Sequence, residues 1–105
     1  MNEYKPESVN MSEVKLDGSI TLENISEIYI RFIIAFDESN DIKITHEKLD
    51  EIDISYLQLL QAARKSAINR NKNLTIDKIG LEKIKKLANE IGCEKFMTDF
   101  KISEN

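Results

Sequence analysis

Cysteine, proline, glycine and tryptophan are scarce or missing in this sequence. Its 105 residues include one cysteine, one proline, three glycines and no tryptophan. Cys93 has no second cysteine for an internal disulfide. Together with the single histidine, His46, it falls short of the three or four protein ligands that a zinc site takes. We therefore expect neither a structural metal site nor a bound cofactor.

The chain also lacks an excess of positive charge. The 15 basic and 19 acidic residues give a formal net charge of −4, and the two signs are interspersed along the sequence. A protein that binds nucleic acid needs a basic face to neutralise a row of phosphates. Nucleic acid is therefore not an expected partner.

No hydrophobic run is long enough for a membrane span. The longest strongly apolar stretch, residues 28–36, is interrupted by Arg31 and has about half the length that a bilayer helix requires. The N-terminus is polar and acidic and does not have the character of a signal peptide. These features predict a cytoplasmic protein that does not insert directly into a membrane.

The residues that are present indicate one globular domain. Apolar residues make up 41% of the chain and charged residues 32%, a balance typical of a folded protein with a solvated surface. A chain of this length fits a single core. We expect residues 1–10 to be a flexible leader or an irregular first strand, residues 11–98 to form the domain, and residues 99–105 to be a tail.

Two strands are predicted near the start of the domain. The pair Asp17-Gly18 lies between two short runs in which apolar residues alternate with polar ones. An Asp-Gly pair in this setting is a strong signal for a tight turn between paired strands. The sequence therefore predicts an antiparallel hairpin.

Three later segments have the apolar spacing of amphipathic helices. The first has Ile25, Ile28, Phe32 and Phe36 at intervals of three and four, after Asn24 as a candidate cap. The second covers residues 56–70, and the third stops at Gly92.

Short strands are expected between these helices, near residues 42–44 and 74–76. The resulting order is β-β-α-β-α-β-α. It predicts an α/β fold with a mixed, mostly parallel sheet of four to five strands and helices packed on it. His46 falls in the polar connection of residues 45–51 and is expected to be an exposed loop histidine without a partner.

Acidic residues cluster just before the second predicted helix, in the segment LDEIDISYLQLL of residues 49–60. Together with LDGSIT at residues 16–21 and EIGC at residues 90–93, this segment resembles the STAS family, which includes anti-sigma-factor antagonists and sulfate-transporter tails. The likeness spans residues 14–96. The family motif has an Asp, one or two small residues, a Gly and a Leu that starts the helix. Asp53, Ser55 and Leu57 match it, whereas Ile54 and Tyr56 depart from it.

The resemblance implies a regulatory protein-binding module. Its partner would be a serine-kinase anti-sigma factor or a related signalling protein, and Ser55 would be the phosphoacceptor. A phosphate at a helix N-terminus is favoured by free N–H groups, and beside several carboxylates it would repel a docked partner. The implied partner-binding residues are Asp50, Glu51, Asp53, Ile54, Tyr56 and Leu57.

Other interpretations of the same residues stay open. Ser55 and Gln58 are spaced as a capping box, which would be a purely structural role. Tyr56 could anchor an interface or pack against the loop. Ile54 and Tyr56 also favour a second function, that of a non-phosphorylated STAS adaptor in a chemosensory complex or a lipid-transporting ATPase.

Catalysis is the least favoured interpretation. The clustered carboxylates could act as general acid and base or hold a divalent cation. However, the sequence pairs no nucleophile with an adjacent base and has no glycine-rich phosphate loop. We therefore expect that the chain is not an enzyme.

Overall fold

A computed structural model of the chain describes residues 11–92 and the backbone of residues 101–102. The strands are β1 (Met11–Lys15), β2 (Gly18–Ile20), β3 (Asp41–Thr45), β4 (Leu49–Ile52), β5 (Asn73–Ile76) and β6 (Lys101–Ile102). The helices are α1 (Ile25–Glu38), α2 (Ile54–Asn69) and α3 (Lys78–Glu90). The predicted leader of residues 1–10 lies outside the described residues. Strand β6 falls in the segment that the sequence predicted to be a tail.

The α/β class and a mostly parallel sheet are confirmed. A four-stranded sheet has the order β1-β3-β5-β6, and β2 pairs with β4 in a second, two-stranded sheet. Each pairing between described strands is parallel, with Val14 opposite Ile44 and Ile44 opposite Ile76 in the larger sheet. The alternation of strands and helices supplies the crossovers that parallel pairing requires.

The predicted antiparallel hairpin is wrong. Strands β1 and β2 do not pair with each other, because each runs beside a partner from the β3–β4 region. The Asp17 carboxylate accepts hydrogen bonds from the backbone N–H groups of Glu47 and Lys48, at 2.7 and 3.3 Å. Gly18 has a positive φ of 80°, which glycine adopts without strain. Asp17 of the Asp-Gly pair therefore binds a loop that is distant in the sequence.

One face of the larger sheet forms the core. Side chains alternate along each strand, and the buried set consists of Val14, Ile42, Ile44, Leu74 and Ile76. Successive strands are added in one direction, and right-handed crossovers then place the connecting helices on the same face. The opposite face is polar and at least partly exposed, with residues such as Glu13, Lys43 and Thr75.

The helices bury the stripes that their apolar spacing predicted. Helix α1 turns Ile28, Phe32 and Phe36 inward. Helix α2 buries Leu57, Leu60, Ala63 and Ala67, and α3 buries Ile84 and Ala88. None of the helices in the described part of the chain is long and apolar enough to cross a membrane.

Candidate functional site: the start of helix α2

Asp53 organises the junction between β4 and α2. It is the N-cap of α2, and its Oδ1 accepts a hydrogen bond from the Ser55 backbone N–H at 3.0 Å. The Ser55 hydroxyl donates a second hydrogen bond to the same oxygen at 2.5 Å. The predicted capping box, with Ser55 as the cap, is therefore wrong. The helix begins two residues earlier than predicted, at Ile54, so that the carboxylate of Asp53 reaches the first turn.

The same carboxylate connects two separate segments. Its Oδ2 accepts a hydrogen bond from the backbone N–H of Leu22, in the turn between β2 and α1, at 3.0 Å. The Asp53 N–H donates to the carbonyl of Ile20 at 3.3 Å. The hydrogen bond from the Ser55 hydroxyl, helped by those from backbone N–H groups, outweighs desolvation and lowers the pKa of Asp53 below its ordinary value. These hydrogen bonds favour the ionised form of Asp53, and through them its carboxylate joins both segments.

Exposed apolar and acidic residues adjoin this connection in the sequence. Leu22 is 75% exposed and Ile54 is 51% exposed, on the two segments that Asp53 joins. Glu23, Asp50 and Glu51, which lie close to them in the sequence, are also exposed. We call the surface formed by Leu22, Glu23, Asp50, Glu51 and Ile54 the α2 corner.

Two members of the α2 corner, Leu22 and Glu23, were not predicted from the sequence. Leu22 contacts Asp53 although the two residues are 31 positions apart in the sequence, and no local sequence pattern indicates such a contact. One signal was present. Leu22 is a large apolar residue that lies before α1 and outside its buried stripe.

Three predicted site residues are buried and do not lie on this surface. Ser55 is only 8% exposed, Tyr56 is fully buried and Leu57 is buried as well. Residues 55–57 in the first turn of α2 face the core because the apolar stripe of the helix begins there. This corrects the prediction that Tyr56 and Leu57 contact a partner directly. Tyr56 could have anchored an interface or packed inside the domain, and the structure shows it packed inside.

The hydroxyl of Tyr56 belongs to a second, buried cluster. It lies 2.7 Å from Nε2 of His46, and the two rings meet edge to face with centroids 6.0 Å apart. Nδ1 of His46 lies 2.9 Å from Oδ1 of Asp77, and the His46 backbone N–H donates to Oδ2 of Asp77 at 2.6 Å. The prediction that His46 is an exposed loop residue without a partner is wrong, because hydrogen bonds to α2 and to the start of α3 hold it inside.

Asp77 caps α3, and a glycine makes room for the imidazole. Oδ1 of Asp77 accepts a hydrogen bond from the Gly80 N–H at 2.9 Å. A Cβ on Gly80 would lie 2.1 Å from Nδ1 of His46, closer than atoms can approach. Burial by itself raises the pKa of Asp77, but the hydrogen bonds from His46 and Gly80 outweigh burial and lower that pKa overall. The cluster thus joins α2 to α3 through the end of β3.

The order of carboxylate, imidazole and hydroxyl in this cluster is also found in catalytic triads. Here the hydroxyl belongs to Tyr56, which is fully buried, and burial raises its pKa. The hydroxyl of this cluster therefore does not reach solvent in this conformation. Within the described residues there is no group of three or more side chains able to hold a metal ion.

Comparison with known proteins found no match to a protein-family model, to a curated protein or to a solved structure. The resemblance to the STAS family therefore stays a prediction that depends on the sequence motifs. The structure itself shows an α/β fold with three helices and a mostly parallel arrangement of strands.

Proposed function

We propose that the chain is a regulatory protein-binding module, similar in role to an anti-sigma-factor antagonist, which binds its partner at the α2 corner. The observation that carries the proposal is the exposed pair Leu22 and Ile54, positioned together through the Asp53 carboxylate. Exposed apolar groups with a polar rim are typical of protein-interaction sites. A rigid anchor of this kind also lowers the entropic cost of binding.

The charge of the corner indicates the chemistry of the partner. Glu23, Asp50 and Glu51, which are exposed neighbours of the apolar pair in the sequence, are all acidic. A matching surface would have an apolar pocket and a basic rim, because complementary charge speeds association and disfavours wrong partners. From the sequence resemblance, the partner is expected to be a serine-kinase anti-sigma factor or a related signalling protein.

In this proposal, phosphorylation of Ser55 acts through Asp53. The Ser55 hydroxyl donates to the same carboxylate that accepts from the Leu22 N–H. A phosphate on Ser55 would replace that donor with about −1.5 to −2 units of charge, which would repel the carboxylate. The link to Leu22 would break and the α2 corner would come apart. Because Ser55 is buried, the kinase would have to open the first turn of α2 before it reacts.

Binding at the α2 corner is tested with the anti-sigma-factor serine kinase of the same organism, by isothermal titration calorimetry. We expect Ile54→Asp and Leu22→Asp to weaken binding by roughly tenfold or more, because each puts a charge into the apolar contact. Ile68→Asp is the matched control, since Ile68 is exposed at the opposite end of α2 and should bind like wild type. No binding by wild type, or equal effects of all three changes, would contradict the proposal.

The switch is tested separately, by adding ATP and magnesium to the same pair and mapping any phosphate by mass spectrometry. We expect phosphate on Ser55, and we expect Ser55→Asp to lose the partner while Ser55→Ala retains it. If Ser55→Asp binds as well as wild type, docking at the corner stands and regulation by Ser55 is excluded.

The burial of Ser55 favours a second candidate function, that of a non-phosphorylated adaptor in a chemosensory complex or a lipid-transporting ATPase. A serine residue that is 8% exposed and whose hydroxyl is already bonded to Asp53 is a poor kinase substrate in this conformation. Recovery of receptor or transporter subunits with the tagged chain, through the α2 corner and without phosphate on Ser55, would select this function.

A further inference from the structure

Ser55 lies between two residues that are held in place. On one side, the Asp53 carboxylate accepts hydrogen bonds from both the N–H and the hydroxyl of Ser55. On the other side, the Tyr56 N–H donates to the Asp53 carbonyl at 3.1 Å, and the Tyr56 side chain is fully buried. Because Ser55 and Tyr56 are consecutive in one helical turn, that turn cannot unwind around Ser55 unless Tyr56 moves as well.

His46 holds the far end of the Tyr56 side chain. The hydroxyl of Tyr56 lies 2.7 Å from Nε2 of His46, and Nδ1 of His46 lies 2.9 Å from Oδ1 of Asp77. The ionised Asp77 carboxylate can only accept, so the proton between Asp77 and His46 belongs to Nδ1. In a neutral imidazole Nε2 then accepts, and the Tyr56 hydroxyl donates to it.

The His46 ring has no room to follow Tyr56. Its side chain is fully buried, and the His46 backbone N–H is bonded to Oδ2 of Asp77 at 2.6 Å. The ring also packs directly on the start of α3, because a Cβ on Gly80 would lie 2.1 Å from Nδ1. Movement of the first turn of α2 therefore breaks the hydrogen bond between Tyr56 and His46.

We propose that this hydrogen bond is a latch that keeps Ser55 inaccessible, and that the kinase phosphorylates Ser55 only in molecules in which the bond is broken. The inference rests on the proposed function, since it describes how the switch at Ser55 is controlled. A hydrogen bond between buried groups that is lost on opening lowers the open fraction, and its removal should raise that fraction by roughly tenfold.

Hydrogen exchange followed by NMR tests the latch without a kinase. In wild type, we expect the Tyr56 and Leu57 amides to exchange faster than the Ile44 amide in the sheet, through a local opening that depends little on low urea concentrations. Tyr56→Phe should speed the exchange of both α2 amides by roughly tenfold. Tyr29→Phe is the matched control, because Tyr29 is exposed, and it should leave their exchange unchanged.

Two results of this experiment overturn the latch. If the Tyr56 and Leu57 amides exchange only at the rate of the Ile44 amide, the first turn of α2 does not open separately from global unfolding. If their exchange is the same in wild type and in Tyr56→Phe, the opening does not break the hydrogen bond to His46.

The initial rate of Ser55 phosphorylation by the anti-sigma-factor serine kinase tests the regulatory role. A second variant, His46→Asn, keeps an N–H donor for Asp77, removes the Nε2 acceptor and leaves the sequence of α2 unchanged. We expect Tyr56→Phe and His46→Asn to be phosphorylated roughly tenfold faster than wild type, provided that opening is rapid compared with phosphate transfer. Tyr29→Phe should react like wild type, and circular dichroism checks that every variant is folded.

Failure of the latch and failure of the proposed function give different results. If Ser55 is phosphorylated at equal rates in wild type, Tyr56→Phe and His46→Asn, the switch stands and the latch is overturned. If no form of the chain is phosphorylated, the switch at Ser55 is excluded, and the regulatory role of the latch is excluded with it. The exchange rates of the Tyr56 and Leu57 amides then show whether the first turn of α2 opens by itself.

Discussion

Helices α2 and α3 begin with the same chemical device. Each is capped by an aspartate, Asp53 or Asp77, that accepts a hydrogen bond from the first turn of its helix. Each carboxylate also accepts one from a backbone N–H 31 residues away, which belongs to Leu22 for α2 and to His46 for α3. In both places, one aspartate follows a strand, caps a helix and accepts a hydrogen bond from a distant segment.

The surroundings of the two caps differ. Beside Asp77, the His46 ring is buried and bonded to Tyr56, so the cap is part of the core. Beside Asp53, Leu22 and Ile54 are exposed, so the cap holds an apolar surface open to solvent. One arrangement stabilises the fold, whereas the other uses the same hydrogen bonds to present a surface.

The largest expected change in the free energy of unfolding distinguishes the Asp77 cap from the Asp53 cap. Asp77→Ala should lower the free energy of unfolding by about 3 kcal/mol, because it removes a cap and leaves buried N–H groups of His46 without an acceptor. Asp53→Ala should cost about 1 kcal/mol, since water can replace the carboxylate at the more exposed site. Urea denaturation followed by circular dichroism measures both. Equal losses would show that the two caps do not differ in this way.

A smaller effect tests the buried cluster through Tyr56. Tyr56→Phe keeps the ring but removes the hydroxyl that lies 2.7 Å from Nε2 of His46. We expect a loss of about 1.5 kcal/mol in the free energy of unfolding. Tyr29→Phe is the control at an exposed site and should change stability by less than about 0.5 kcal/mol when measured on dilute protein. An unchanged Tyr56→Phe variant would mean that the hydrogen bond contributes nothing.

The smallest expected change in stability concerns Asp53, the more exposed of the two caps. Ser55→Ala should cost less than about 1 kcal/mol, but it should raise the pKa of Asp53 towards its ordinary value, because the Ser55 hydroxyl is the main cause of the lowered pKa. Carboxyl ¹³C NMR titration measures this pKa. The control is Asp17, whose pKa is lowered chiefly by hydrogen bonds from the Glu47 and Lys48 N–H groups and should not move.

The sign of the pH dependence follows from the direction of that shift. A carboxyl whose pKa is lower in the folded state stabilises the fold above the unfolded pKa of about 3.9. This stabilisation is lost as the pH falls through the folded pKa. Ser55→Ala should therefore lose less stability on acidification than wild type. A steeper loss would contradict the role of the Ser55 hydroxyl.

The helices were predictable from the sequence because their signal is local. The stripe at Ile28, Phe32 and Phe36 lies on consecutive turns, and burial of one helix face depends on the spacing within that helix. Strand pairing carries no such local signal. The Asp17-Gly18 pair has the composition of a tight turn, yet the carboxylate of Asp17 binds the loop before β4.

The candidate site was predictable only in part, for the same reason. The acids before α2 are adjacent in the sequence, so their clustering is visible there. Leu22 and Asp53 meet across 31 residues, as do His46 and Asp77, and neither contact has a spacing that could indicate it. His46 was therefore predicted to be exposed. Its hydrogen-bond partner, Asp77, lies at the start of α3, too far along the sequence for a local pattern to indicate the contact.

The close approach of Gly80 to the His46 ring has a consequence for how this fold can diverge. The imidazole occupies the volume that a methyl group at position 80 would need. The two positions should therefore change together among descendants of this chain. Where an imidazole stands at 46, glycine should be retained at 80, and any residue with a side chain should enter position 80 only alongside a smaller residue at 46.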